Sequence, residues 1–349
     1  MDKKYLFRRD SKKIYGESCI FIGADGESPL CFQAEKILRV YDAINNRDYI
    51  ENIDFEFKNN RFYRLNNSSM PFLPEEDIFP DEQHAILPPA ENYNALSGGT
   101  DGRFIRFDNL DYFAKTQFEV DYEIKNFDLL PIEEQKGKLP RICNILRNRK
   151  NLKITLIGDS ISEGLNATGY HKIAPFSPPY IDWFGFGLEE KYGIKSTICN
   201  RGVNGSSCKA ALASADLWSQ DNPDLLVIAY GMNDFSRMNA DEFINVMAEI
   251  RCIMKKKNPQ TEFLFIASMS GNPNWERTKP GNDASFAAKL IEFTSKYSDC
   301  AVCNMYRSYG ELQKRKGFFA VTGNGVNHPN DSGHRFYASI LLETMEKIL

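Results

Sequence analysis

Long apolar runs are missing from this chain: no stretch approaches the roughly 20 residues that a bilayer-spanning helix requires. A basic cluster is missing too. With a net charge of −4 and no concentration of lysine and arginine, neither nucleic acid nor an anionic membrane is an expected partner. The basic start, Met1 to Arg9, leads into no apolar h-region, so no signal peptide is read and a cytoplasmic location is expected. Eight cysteines in 349 residues do not form a disulfide framework. Cys300 and Cys303 have redox-motif spacing, but they lie in an alternating apolar segment that reads as a strand with buried, reduced thiols. Histidine is scarce: His84, His171, His328 and His334 are scattered, and no Cys/His group has metal-ligand spacing. No metal and no organic cofactor is expected.

What is present is an ordinary globular mixture, 42% hydrophobic and 26% charged, long enough for two domains. The two halves follow different periods. Residues 1–145 are rich in Phe and Tyr and alternate with period two at 54–58, 103–107 and 117–124, between Asn-Asn, Asp-Gly and Gly-Gly turn signals. That pattern predicts a small β-sandwich or jelly-roll-like domain. Residues 133–150, rich in Glu and Lys, read as the connection. Residues 151–349 instead alternate short apolar runs (154–157, 196–199, 225–230, 263–268 and 301–305) with helical periodicity at 180–192, 207–219, 240–257 and 284–298. Phe336, Tyr337, Ile340, Leu341, Met345 and Ile348 close the chain as one apolar helical face. Strands apolar throughout and alternating with helices predict a parallel sheet covered on both faces, an α/β/α arrangement. Such sheets bind ligands beyond the carboxyl ends of their strands.

Several short blocks sit at those ends. Gly158-Asp159-Ser160 follows the first apolar run, Asn200-Arg201-Gly202 the second, and Gly231-Met232-Asn233-Asp234 the third. Asn327-His328-Pro329 precedes the last helix. A serine at a strand-to-helix turn is a weak nucleophile that needs a base within hydrogen-bond reach. Ser160 alone reads equally as an N-cap, and its turn lacks the Gly-Lys run of a phosphate-binding loop. Gly202, through a close backbone N–H, and Asn233, through its amide, could hold an oxyanion. Asp234 reads as structural. His84 lies in a Pro-rich loop and His334 inside the last helix, which leaves His328 as the best-placed base.

Taken together, Gly158-Asp159-Ser160, Gly202, Gly231-x-Asn233-Asp234 and His328-Pro329 resemble the SGNH hydrolases, also called GDSL-type esterases, over essentially all of 152–349. The resemblance implies a flavodoxin-like three-layer fold and hydrolysis of carboxylic esters. It assigns Ser160 as nucleophile, His328 as base, and the Ser160 amide, Gly202 and Asn233 as the oxyanion hole. A β-module ahead of such a domain is similar to certain carbohydrate acetylesterases, so the implied substrate is a small, acetyl-like ester on a carbohydrate. Asp159, His171, Trp183 and Trp275 are the substrate-contact candidates, and the loop 271–284 is long enough to shape the pocket. One position departs from the family, which usually places an Asp three residues before the His; here it is Gly325. A backbone carbonyl of the 324–326 loop, Gly325 among them, is the favoured acceptor for the second imidazole N–H and would make a Ser-His dyad. The Asn324 side chain and Asp331 are the alternatives. A lipase on longer acyl chains, a carbohydrate-binding protein without turnover, and a flavin or nucleotide module are the rival functions.

Overall fold

The computed structural model describes residues 1–276 and 281–349, so residues 277–280 of the loop expected to shape the pocket lie outside the described residues. Five parallel strands form the central sheet. Their spatial order is Ser196–Gly202, Leu152–Gly158, Leu225–Ala229, Glu262–Ala267 and Cys300–Asn304. Numbered along the chain that order is 2-1-3-4-5, the flavodoxin-like winding. Ile154, Leu156, Leu226, Val227, Leu264 and Phe265 are almost fully buried, because helices cover both faces of the sheet. One pair of packed helices is Tyr180–Tyr192 with Asp331–Ile348, the other Ala240–Lys257 with Asn282–Ser295. The expected helix at 207–219 is two short ones, Cys208–Ala213 and Ala215–Trp218. Between them the Ser214 hydroxyl donates to the Ala210 and Ala211 carbonyls, a local bond that competes with helix continuation.

The N-terminal half is antiparallel. Strands Lys13–Ile20, Gln117–Ile124, Ala34–Asp42 and Arg47–Asp48 form one sheet in that order, and Glu27–Pro29, Arg61–Arg64 and Phe55–Lys58 a second. The Phe118 ring of the first sheet meets Phe62 of the second edge to face at 5.7 Å, so the two sheets close on a shared aromatic core. Of the strand expected at 103–107 only Ile105–Arg106 forms, paired with Ala95–Leu96.

This β-module sits against the helical layer. Buried side chains of both halves belong to one contiguous hydrophobic cluster. Lys316 and Glu17, both buried, pair at 2.7 Å, and Arg335 meets Glu119 at 2.9 Å. The Gln117 amide donates to the Phe319 and Thr322 carbonyls, just ahead of His328. The connection is not bare linker. It contains the helix Pro140–Arg147, which starts with Pro at a position where a missing N–H costs nothing and buries Ile142, Ile145 and Leu146.

Candidate active site

The strand Leu152–Gly158 lies next to the place where the winding reverses, and Ser160 follows directly after it. Asp159 is extended, and its Oδ1 accepts from the Ile161 N–H at 3.0 Å, capping the short helix Ser160–Glu163. Ser160 is therefore the first helical residue, and its N–H has no partner within the helix. Glycine is needed at 202 because a Cβ there would lie 2.7 Å from the Ser162 carbonyl carbon and collide with the Glu163 nitrogen. That close approach brings the second strand end against the serine helix. The Asn200 amide fastens the same contact by donating to the Ser162 carbonyl at 2.8 Å. On the other side Asp234, buried, accepts from the Gly231 and Cys208 N–H groups at 3.1 Å each and fixes the turn that carries Asn233.

His328 Nε2 lies 2.8 Å from Ser160 Oγ, with the two residues only 4% and 3% exposed. Burial holds the imidazole far below its usual 6.5, at about 3, and His334 and His171 push the same way. It is neutral at neutral pH, as a general base must be. Its loop is shaped by Asn324, whose Oδ1 accepts from the Val326, Asn327 and His328 N–H groups at 2.9, 2.9 and 3.0 Å.

None of the three expected acceptors reaches His328 Nδ1. The Gly325 carbonyl accepts from Asn272 Nδ2 at 2.8 Å, and Asn324 Oδ1 is occupied by its own loop. Asp331 accepts from the Thr168 N–H at 2.8 Å and from its hydroxyl at 2.7 Å. The atom beside Nδ1 is instead Asn166 Oδ1, at 2.7 Å. Neither spacing nor motif marked Asn166; the only trace in the sequence is an Asn five residues ahead of a His in the loop after the serine block.

The other expected site residues divide. Asn233 Nδ2 donates to the Ser206 carbonyl at 2.9 Å, and an amide nitrogen carries a second hydrogen. The single Gly202 N–H is engaged by Asn200 Oδ1 at 2.9 Å, so it can serve an oxyanion only by leaving that partner. Two substrate-contact expectations are corrected. Asp159 is buried beneath the serine turn, where burial and the Asp234 charge push its carboxyl up to about 7. Trp183 is 4% exposed, and its indole N–H donates to Ser177 Oγ at 3.3 Å, because the helix Tyr180–Tyr192 turns that face inward. His171 is half-buried and accepts from the Asn166 N–H at 3.1 Å through Nε2. Trp275 packs against Ile105, Phe107 and Val326, two residues from His328.

Residues 156–336 match the model of the GDSL-like lipase/acylhydrolase family. Among solved structures, a protein of Parabacteroides merdae described as a GDSL-like lipase is 18% identical, over 57% of this chain and 97% of that one, with a TM-score of 0.49. A two-domain esterase active on acetylated mannans is 18% identical over 61% of this chain and 54% of its own, also at 0.49. An acetylxylan esterase of Geobacillus stearothermophilus is 17% identical over 57% and 96%, at 0.45. No curated protein matches the chain.

Proposed function

The chain belongs to the GDSL-like lipase/acylhydrolase family, and on that premise we propose that it hydrolyses small acyl esters, acetyl groups on a carbohydrate foremost, through an ester formed on Ser160. The observation that carries this reading is the 2.8 Å contact between Ser160 Oγ and a buried, neutral His328 Nε2. His328 takes the hydroxyl proton as Ser160 Oγ bonds to the ester carbonyl carbon. The oxyanion is met by the Ser160 N–H, the free Asn233 amide hydrogen and the Gly202 N–H once it leaves Asn200. His328 returns the proton to the departing alcohol. Water, losing a proton to the same imidazole, then attacks the acyl-serine, and the imidazolium returns that proton to Ser160 Oγ as the acid leaves.

A sugar on the alcohol side would find aromatic surface near the His328 loop, where Tyr93 stacks on Phe107 at 5.4 Å and Trp275 packs alongside. One observation favours a sugar-binding protein without turnover: the engaged Gly202 N–H.

The test is release of p-nitrophenol from the acetate and butyrate esters by the native protein and by Ser160→Ala. Turnover that falls by at least about 10⁴ in the variant, with acetate preferred, is the expected outcome. Equal inactivity of both proteins, with acetylated glycans still bound, would select the binding protein.

A further inference from the structure

We infer that Asn166 is the positioning residue that holds His328 in its working tautomer, in the place where the family usually has a carboxylate. The inference rests on the Ser160–His328 reading and adds to it the group that orients the base. An amide has a donor end and an acceptor end, so the argument turns on which end faces the ring. Asn166 Nδ2 lies 3.0 Å from the Gly323 carbonyl and 3.3 Å from the Asp108 carbonyl, and both can only accept. The nitrogen must therefore point at them, which turns Oδ1 toward the imidazole at 2.7 Å. An oxygen there can only accept. The ring must then carry its proton on Nδ1, leaving the Nε2 lone pair for the Ser160 hydroxyl.

The surroundings hold that amide in place. Asn166 is buried and has a φ of +63°, in the left-handed region that Asn tolerates better than most residues. Its own N–H is taken by His171 Nε2 at 3.1 Å. Asp108, from the N-terminal half, uses its carbonyl on Asn166 and its N–H on the Asn324 carbonyl at 3.1 Å. One peptide segment of the β-module thus ties the orienting residue to the loop of the base. The position three residues before His328 is closed to an acid. Gly325 has a φ of +83°, and a Cβ there would lie 2.5 Å from Phe113 Cζ and 2.7 Å from the Arg106 carbonyl.

A neutral acceptor fixes the tautomer but adds no negative charge beside the imidazolium that forms during reaction. Substitution separates the two effects. Asn166→Ala, folded as judged by circular dichroism, should lower kcat for p-nitrophenyl acetate by about 10²–10⁴ with KM nearly unchanged, the scale of a lost tautomer. Asn166→Asp keeps an acceptor for Nδ1 but sets its second oxygen against the Gly323 and Asp108 carbonyls, so its mark is the pH profile. The acid limb of kcat/KM should move to higher pH, because a carboxylate favours the protonated ring. A merely structural residue would give two variants, neither with a displaced limb, and that result would overturn the inference. So would an Asn166→Ala enzyme within about threefold of native kcat.

Should the alanine variant not fold, nitrogen-detected NMR of the native protein decides: His328 protonated on Nδ1 supports the inference, and on Nε2 it refutes it. Ser160→Ala keeps the two readings apart. If native protein and Ser160→Ala are equally inactive, the esterase proposal fails, while the tautomer measurement still reports on Asn166.

Discussion

The two sides of the candidate site are built in different ways. On the serine side every support is near in the chain or at an adjacent strand end: Asp159 caps the helix, Asn200 pins it, and Asp234 closes the next turn. On the histidine side Asn324 shapes the loop locally, and the other supports come from afar. Asn166 is 162 residues from His328, and Asp108, Phe113 and Gln117 belong to the antiparallel half. The serine side is thus a product of the parallel sheet. The histidine side is a joint between the two halves, and the β-module is part of its construction. The two sides should therefore fail differently under substitution, the first in rate and the second in rate and stability together.

Of the substitutions still to be weighed, the one with the largest effect on rate lies on the serine side. Asn233→Ala removes the proposed oxyanion donor while leaving the Asp234 bonds that shape the turn. We predict a fall in kcat of about 10²–10³, with KM and the melting temperature close to native. Steady-state kinetics with p-nitrophenyl acetate and a thermal melt check both halves of that statement. Unchanged kcat would remove Asn233 from the site and leave the serine side without its side-chain donor.

Gly325→Asp tries to restore the family's carboxylate and should fail. The new side chain would need a left-handed backbone and the space held by Phe113 and the Arg106 carbonyl. Overpacking of this kind costs about 1–3 kcal/mol, read as a lower midpoint in urea unfolding, and activity should drop with it. A variant as stable as native and more active would show that the β-module yields easily, and the contrast between the two sides would weaken.

The same contrast explains what the sequence disclosed. The central strands and the helices at 180–192 and 240–257 were legible because each is a short run whose periodicity is set by its own neighbours. Ser160 was legible because a short motif at a strand end carried it, and His328 because its motif stands just ahead of the last helix. The orienting group was not. Gly325 showed that an acid was missing, but the replacement is joined to His328 only through the packed tertiary structure. The strand Lys13–Ile20 was hidden for a related reason: from Glu17 to Ile20 every residue is buried, with Glu17 against Lys316 and Ser18 against Asn330. Such a run loses the alternation that marks a strand with one wet face.

The smallest predicted effect concerns pH and again falls on the histidine side. Burial lowers His328 to about 3 and His334 to about 4, so below about 6.5 the unfolded chain takes up protons that the folded chain refuses. Those two groups make stability fall as pH drops from about 6.5. Asp331 is raised to about 6 by burial, so its contribution has the opposite sign: present below about 3.8 and lost as pH rises through about 6. Between about pH 4 and 6 it offsets part of the histidine loss. Asp331→Asn, which keeps an oxygen for the Thr168 N–H, removes that offset. Its melting temperature should match native near pH 7.5 within a few degrees and fall more steeply toward pH 4.5. Parallel curves for the two proteins would mean that the Asp331 carboxyl is not raised.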